Sequence, residues 1–433
     1  MAVVAVVGGQ WGDEGKGKIV DLLAEKAKIV ARFSGGDNAG HTVINPCGEF
    51  RLHLVPSGIF YPQVTCIIGN GVAINPAVLL REIDELNNHG VDTSRLFVSD
   101  RAHLIMPYHI LLDKLEEERR RKGALGTTLR GIGPAFADKV ARIGIRTGDL
   151  LDRDGFRVRL KAVLELKNLI LTKVYQALPL SLEEVYEQYC RYGERLAPFI
   201  RETSSIVREA AARGELVLLE GAQGALLDPD FGTYPYVTSS SPLAAAGCIG
   251  IGLGPRRVDR IIGIFKAYNT RVGAGPMPTE LNDETGDLIR EKAHEYGATT
   301  GRPRRCGWFD AVAGRFSVQI NSLTDIALTH LDIYDGFPSI KICTAYRFKG
   351  ELLTSFPADA DVLAECQPVY EELTGWRESI TAIRDFEKLP IRARNYLSRL
   401  EELLSCPISL ISVGPDRRQV IERNPESGLR SAP

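Results

Sequence analysis

Residues 8–23, GGQWGDEGKGKIVDLL, stand directly behind a short apolar run and come close to a phosphate-binding loop. The familiar pattern is a glycine, four residues, then Gly-Lys and a Ser or Thr whose hydroxyl holds Mg²⁺. Counted from Gly12, the frame is met through Gly17 and Lys18, but Ile19 follows and a carboxylate, Asp13, stands inside the loop. Glycines let backbone N–H groups approach phosphate oxygens, and a helix expected to start near Gly15 points its positive end at them. Lys16 and Lys18 would add cationic donors. The chemistry suggested is phosphate binding with an acid or base built into the cradle.

A second loop, SGGDNAGHT at 34–42, presents Asp37, Asn38 and His41 among Gly35, Gly36 and Gly40. Asp13 and His41 on neighbouring strand ends would make a base and acid pair. Histidines 53, 89, 103, 109 and 294 read as ordinary satisfied residues. EGAQG (220–224) offers Gln223 between glycines, and YPYVTSSSP (234–242) a row of hydroxyls. GTTLRGIGPAFADKVAR (126–142) pairs Thr127 and Thr128 with Arg130 and Arg142, and ATTGRPRRCGW (298–308) packs Arg302, Arg304 and Arg305 beside Gly and Thr. Guanidinium forks suit carboxylates and phosphates, which they bind in bidentate fashion. THLD (329–332) ends in Asp332, which would either accept hydrogen bonds from guanine or cap a helix.

These loops need a scaffold. Eight apolar runs precede polar or Gly-rich stretches, at 2–8, 29–35, 65–71, 96–100, 215–224, 260–270, 325–332 and 407–414. Near-continuous apolar runs are what strands buried on both faces look like. Ile19, Leu22 and Leu23 between the first two runs have helical spacing, which gives a β-α-β unit and a parallel sheet. In such sheets ligands bind outside the carboxyl ends of the strands, where these loops would lie. Two further stretches read as helices. YHILLDKLEEERRRK (108–122) carries Glu116–Arg120, Glu117–Arg121 and Glu118–Lys122 pairs on a solvated face. SLEEVYEQYCRYGERL (181–196) opens with Ser181 and Glu184 in capping-box spacing. The expected architecture is one large α/β domain: a mainly parallel central sheet flanked by helices, P-loop-like, with a helix-rich insertion at about 108–210 and a loose tail at 424–433.

Composition narrows the partners. A net charge of -2 on 433 residues gives no global attraction to nucleic acid or anionic membrane. The eight cysteines lie far apart with no C-x-x-C pair, which argues against a zinc or dithiol site and for a reducing compartment. AVVAVV is too short for a secretory signal, and no run approaches a membrane span. A cytoplasmic location is expected.

QWGDEGKGK, SGGDNAGHT, GTTLRGIGPA, EGAQG, GTYPYVTSS, TTGRPRR and SVGPDR follow one another between residues 10 and 418. Together they resemble the adenylosuccinate synthetase family. The resemblance implies a GTP-dependent ligase joining IMP and L-aspartate through 6-phosphoryl-IMP, the first step of AMP synthesis from IMP. It implies that Asp13 is both a Mg²⁺ ligand and the base for N1 of IMP, with the Gly40 carbonyl helping to hold one Mg²⁺ per subunit. His41 would act as acid, and Lys16 and Gln223 would stabilise the transferring group. GTP would meet Gly12, Glu14, Gly15, Lys16, Gly17, Lys18, Gly40, His41, Thr42 and Arg304. Its guanine would lie against His330, Leu331, Asp332, Ser412, Val413 and Gly414. IMP would meet Asp13, Asn38, Ala39, Thr128, Gln223, Thr238 and Arg302, with Arg142 reaching the IMP site of a partner subunit in a homodimer. Aspartate would meet Ala298, Thr299, Thr300, Gly301, Arg302 and Arg304. Two departures stand out: His330 where the family commonly has lysine, and Pro303 between two arginines. The competing readings are a P-loop-like GTPase and a nucleotide-sensing switch.

Overall fold

The computed structural model describes residues 2–45, 48–296 and 303–423, with residues 41–45, 49 and 122 described by their backbone alone. Val3–Gly8 (β1) is buried along its whole length, with Val4 and Val6 in the core on one side of the sheet and Val3, Ala5 and Val7 in the core on the other. A strand covered on both faces has no room for polar alternation, which is why it reads as an unbroken apolar run.

The remaining strands of this sheet are Ile29–Arg32 (β2), Thr65–Ile68 (β3), Leu96–Ser99 (β4), Ile200–Arg201 (β5), Val217–Glu220 (β6), Arg260–Lys266 (β7), Asp325–Thr329 (β8), Ile408–Ser412 (β9) and Val420–Glu422 (β10). Their order is β10-β9-β8-β7-β1-β6-β2-β3-β4-β5, ten strands in all. Every pairing is parallel except that of β9 with β10. The eight runs read from the sequence form the eight consecutive inner strands, and the two edge strands were missed. Edge strands β5 and β10 span only two and three residues, too short to register as runs.

Three sequence readings need correction. β1 and β2 are not neighbours, because β6 lies between them with Val217 opposite both Val3 and Ile29. The run at 260–270 breaks after Lys266, and Asn269–Arg271 instead pairs antiparallel with Arg305–Gly307. Of the proposed ion pairs on helix Pro107–Arg120, Glu116–Arg120 forms as expected, at 3.3 Å. Arg121 leaves the helix at φ 50°, so Glu117 accepts backbone N–H bonds from Leu125 and Gly126 instead. Glu118 lies 3.9 Å from Lys114, while the Lys122 side chain is outside the described set.

Lys16–Ala24 (α1) follows β1, and its buried face is Ile19, Val20 and Ala24, with Leu22 and Leu23 only half-buried. Between β4 and β6 run helices Pro107–Arg120, Ile132–Ala141, Arg153–Lys173, Leu182–Leu196 and Ser204–Ala212. Ser181 caps the fourth of these by accepting from the Glu184 N–H at 3.4 Å. A second sheet, Phe309–Asp310, Ser339–Phe348, Glu351–Leu353 and Gln367–Thr374, was not read from the sequence. Its longest strand mixes buried and half-buried residues and so shows no continuous apolar signal. Among the described residues no helix is long and apolar enough to cross a membrane, and the seven described cysteines are free and buried.

Candidate active site

The loop after β1 is shaped by a carboxylate facing inward. Glu14 is fully buried, and its Oε1 accepts the N–H groups of Gln10 (3.0 Å) and Gly12 (2.9 Å). Its Oε2 takes the Lys16 ammonium at 2.5 Å. Thr329, at the end of β8, donates its hydroxyl to the Glu14 carbonyl oxygen at 2.7 Å. With its neighbour drawn in, Asp13 adopts a left-handed φ of 59° and turns its carboxylate out to a 39% exposed position. Glu14 is thus the internal brace of the loop, and Asp13 is the carboxylate that faces outward.

Two other loops press against this one. A Cβ on Gly224 would lie 2.3 Å from the Gln10 oxygen and 2.5 Å from the Gly12 nitrogen, so only glycine allows the approach. Gln223 has φ 58°, donates Nε2 to Asn38 Oδ1 at 3.3 Å and accepts from the Ser240 hydroxyl at 3.4 Å. A Cβ on Gly35 would meet that of Ala222 at 2.9 Å. Asp13, Asn38 and Gln223 therefore share one mouth at the carboxyl ends of β1, β2 and β6. Asp37 is buried behind it, with one oxygen bonded by Asn75 at 3.1 Å and the other without a hydrogen-bond partner among the described residues. Burial raises its carboxyl against the pull of Arg130.

The lysines are not equivalent. Lys18, expected as a phosphate donor, points instead to the loop after β9, donating to Ser412 Oγ (2.7 Å), the Gly414 carbonyl (2.6 Å) and the Gln419 carbonyl (3.2 Å). Burial pushes its ammonium down to about 8. At this corner Leu331 and Val413 are buried, while Asp332 is half-buried with its carboxyl raised by burial. His330, at φ 58°, lies edge-on to Tyr268 with centroids 6.0 Å apart. Burial, aided by Lys266, pushes it down to about 4, so it is neutral near pH 7.

Thr128 and Arg142 are exposed, the latter at φ 65° at the end of helix Ile132–Ala141, and Thr238 is half-buried. Ala39 is half-buried and Gly40 exposed. The side chains of His41 and Thr42, and residues Ala298, Thr299, Thr300, Gly301 and Arg302, lie outside the described residues. Arg304 is described, and its Nε lies 2.9 Å from Asp13 Oδ2.

Four residues were missed. Lys266, Tyr268 and Glu295 form a buried polar knot behind Arg304. Arg271 is buried and donates to Pro276 O, Thr233 Oγ1 and Tyr236 O, shaping the loop that carries Thr238. The available signal was charge inside an apolar frame: Lys266 ends the run RIIGIFK, and Glu295 stands four residues before Thr299 of the Thr-Thr-Gly loop.

Among the described residues no three His, Cys, Asp or Glu side chains converge on one point. A single outward carboxylate at a phosphate cradle still suits Mg²⁺, which is commonly bound by one or two carboxylates together with substrate phosphates. The cation already drawn to Asp13, Arg304, shows that the position attracts positive charge.

The sequence matches the family description "Adenylosuccinate synthetase" over residues 5–421. Adenylosuccinate synthetase from Dehalococcoides mccartyi is 62% identical over 421 residues, covering 97% of this chain and 100% of its own. That from Heliobacterium modesticaldum is 54% identical over 422 residues, with 98% and 99% covered. The structure of fully ligated adenylosuccinate synthetase from Plasmodium falciparum superposes with a TM-score of 0.92 at 38% identity, covering 98% of this chain and 100% of that one. A cyanophage S-2L succinoaminodeoxyadenylate synthetase shares the fold at a TM-score of 0.61 and 19% identity, covering 97% and 95%. The chain belongs to the adenylosuccinate synthetase family.

Proposed function

We propose that the protein joins IMP and L-aspartate into adenylosuccinate at the expense of GTP, releasing GDP and phosphate, as the first step from IMP to AMP. The observation that carries the reading is Asp13, a carboxylate turned outward from a phosphate cradle and sharing its mouth with Asn38 and Gln223. A simple GTPase has no use for an outward carboxylate beside Asn38 and Gln223 at its phosphate cradle.

The chemistry follows from what each substrate lacks. O6 of IMP is a weak nucleophile until N1 loses its proton, and Asp13 takes that proton. O6 then attacks the γ-phosphorus of GTP, the bond to the β-phosphate oxygen breaks, and GDP and 6-phosphoryl-IMP result. The aspartate amine attacks C6, and phosphate leaves carrying the former O6. Phosphoryl transfer is helped mostly by positioning and charge neutralisation. That task falls to the loop amides, Lys16 and Gln223, while His41 acts as acid beside the developing charge. Mg²⁺, when bound, neutralises charge on the transferring phosphoryl oxygens; Asp13 and the Gly40 carbonyl would hold it. Guanine sits at the corner of Asp332, His330 and Ser412–Gly414, and aspartate at residues 298–304 with Arg302 and Arg304.

The active form is a homodimer in which Arg142 serves the IMP site of the partner subunit. Exposed Arg142 supports this, together with exposed apolar side chains beside it. Val140 is 78% exposed, and Val158, Leu166 and Leu169 line the neighbouring helix, tied to it by Lys167 and Asp138 at 2.5 Å. Free buried cysteines support a cytoplasmic enzyme. The test is to follow the purine ultraviolet spectrum with Mg²⁺, GTP, IMP and aspartate while omitting each in turn. A change that requires all four is expected; GTP loss without IMP would contradict the reading.

A further inference from the structure

Beneath the cradle, four charges alternate in a line: Lys266, Glu295, Arg304 and Asp13. Glu295 is 1% exposed, and its Oε1 accepts from Lys266 Nζ and from the Tyr268 hydroxyl. Its Oε2 accepts from Arg304 Nη1 at 2.7 Å, and its backbone oxygen from the Arg304 N–H at 2.8 Å. The Arg304 carbonyl oxygen in turn accepts from Arg290 Nε at 2.9 Å, and its own Nε lies 2.9 Å from Asp13 Oδ2, an ion pair without a hydrogen bond from that nitrogen among the described residues.

A buried carboxylate needs one cation to be neutral, and Lys266 supplies it. Glu295 nevertheless takes a second cation, Arg304, which leaves the buried part of the line with one positive charge in excess. Asp13 balances it, and Asp13 is the member that reaches solvent. Burial alone would raise the Glu295 carboxyl, but Lys266, His330 and Arg304 override it and hold it at about 2, so the charge line persists at any working pH. A guanidinium held through Nη1 and through its own backbone N–H keeps its place when the ion partner at Nε changes.

We propose that Glu295 is a positioning residue for the ligation: anchored by Lys266 and Tyr268, it presets the Arg304 guanidinium at Asp13, where anionic substrates replace Asp13 as its second partner. This rests on the functional reading above. Before substrates arrive, Arg304 is the counter-ion of the base. Once they bind, Glu295 keeps the fork aimed at aspartate and the donor phosphates without a search over rotamers.

The test is a double-mutant cycle between Glu295→Gln and Arg304→Lys, read as separate kcat and KM values for each substrate, with IMP binding measured directly. Each single variant should lose about 10- to 100-fold in kcat/KM for aspartate, the scale on which misplacing a binding group acts. The double variant should be no worse than the weaker single, because both remove one device. IMP affinity should change less than about threefold, since Glu295 does not face that substrate. Tyr268→Phe keeps all four charges and should move the same parameters in the same direction by less. If Glu295→Gln does not fold, the Tyr268→Phe and Arg304→Lys cycle decides in its place. Losses that multiply in the double variant, or normal aspartate kinetics in Glu295→Gln or Tyr268→Phe, would overturn the proposal. Wild-type protein run alongside separates the two readings: no IMP-dependent turnover there would sink the functional reading and this assignment together, whereas normal wild-type turnover with independent losses would sink Glu295 alone.

Discussion

Lys18 Nζ lies 2.7 Å from Ser412 Oγ and 2.6 Å from the Gly414 carbonyl oxygen, joining the first turn of α1 to the loop after β9 across 394 positions of sequence. The loop after β1 and the corner proposed for guanine are therefore one hydrogen-bonded unit, held by an ammonium.

That ammonium titrates at about 8, below its ordinary 10.5, because burial disfavours the charge. Between those values the unfolded chain holds a proton the native one has lost, so this group's destabilising effect is full below about 8 and relieved as pH rises towards 10.5. Function runs the other way. Above pH 8 the lysine loses its charge and its grip on the loop, so KM for GTP should rise while KM for IMP stays level. Lys18→Met should show the high-pH behaviour at every pH. A GTP KM that is flat from pH 7 to 9.5 would count against this role.

The base of the donor nucleotide should be read by Asp332, with His330 acting as a neutral ring. Asp332→Asn should weaken GTP use by about 10- to 100-fold, the worth of hydrogen bonds to a charged acceptor, and should admit XTP. His330→Phe should keep most GTP affinity, since its edge-on contact with Tyr268 needs no charge. It should also remove an acid sensitivity: His330 is held at about 4 against 6.5 when unfolded, so its contribution to stability is lost as pH falls through that interval. Competition titrations and thermal melts at pH 5 and 7 measure both effects.

Gly224→Ala would drive a methyl group to within 2.5 Å of the Gln10 oxygen, Glu14 Oε1 and the Gly12 nitrogen, all in the cradle. Overpacking of this kind costs about 1–3 kcal/mol. GDP binding should fall at least tenfold while the far-ultraviolet circular dichroism spectrum stays native, and calorimetric titration with GDP checks it.

Shared sites make a separate prediction. Asp13→Ala and Arg142→Ala should each abolish turnover, the first with GTP binding largely kept. Mixed in equal amounts they should recover about a quarter of wild-type activity, because half the dimers are hybrids with one intact site each. No recovery after subunit exchange would contradict the assignment of Arg142 to the partner's site.

Much of this was legible because buried parallel strands write themselves as unbroken apolar runs, and β1, β6 and β8 are buried at every residue. The cradle was legible because glycines and an odd carboxylate interrupt the pattern at a strand end. What stayed hidden was long-range polar pairing. Nothing near Lys18 announces Ser412, and nothing near Glu295 announces Lys266, because local spacing carries no record of partners brought together only by the sheet order. The facing direction of Glu14 was equally invisible: two adjacent acids look alike in sequence, and the backbone at φ 59° turns one out while its neighbour is buried.

O6 of IMP, freed by Asp13, should attack the γ-phosphate of GTP. IMP labelled with oxygen-18 at O6 tests it directly, by mass spectrometry of the phosphate released when GTP, aspartate and Mg²⁺ are present. Each phosphate formed with adenylosuccinate should carry the label. Unlabelled phosphate accompanying adenylosuccinate would mean that O6 never joined phosphorus, and would contradict it.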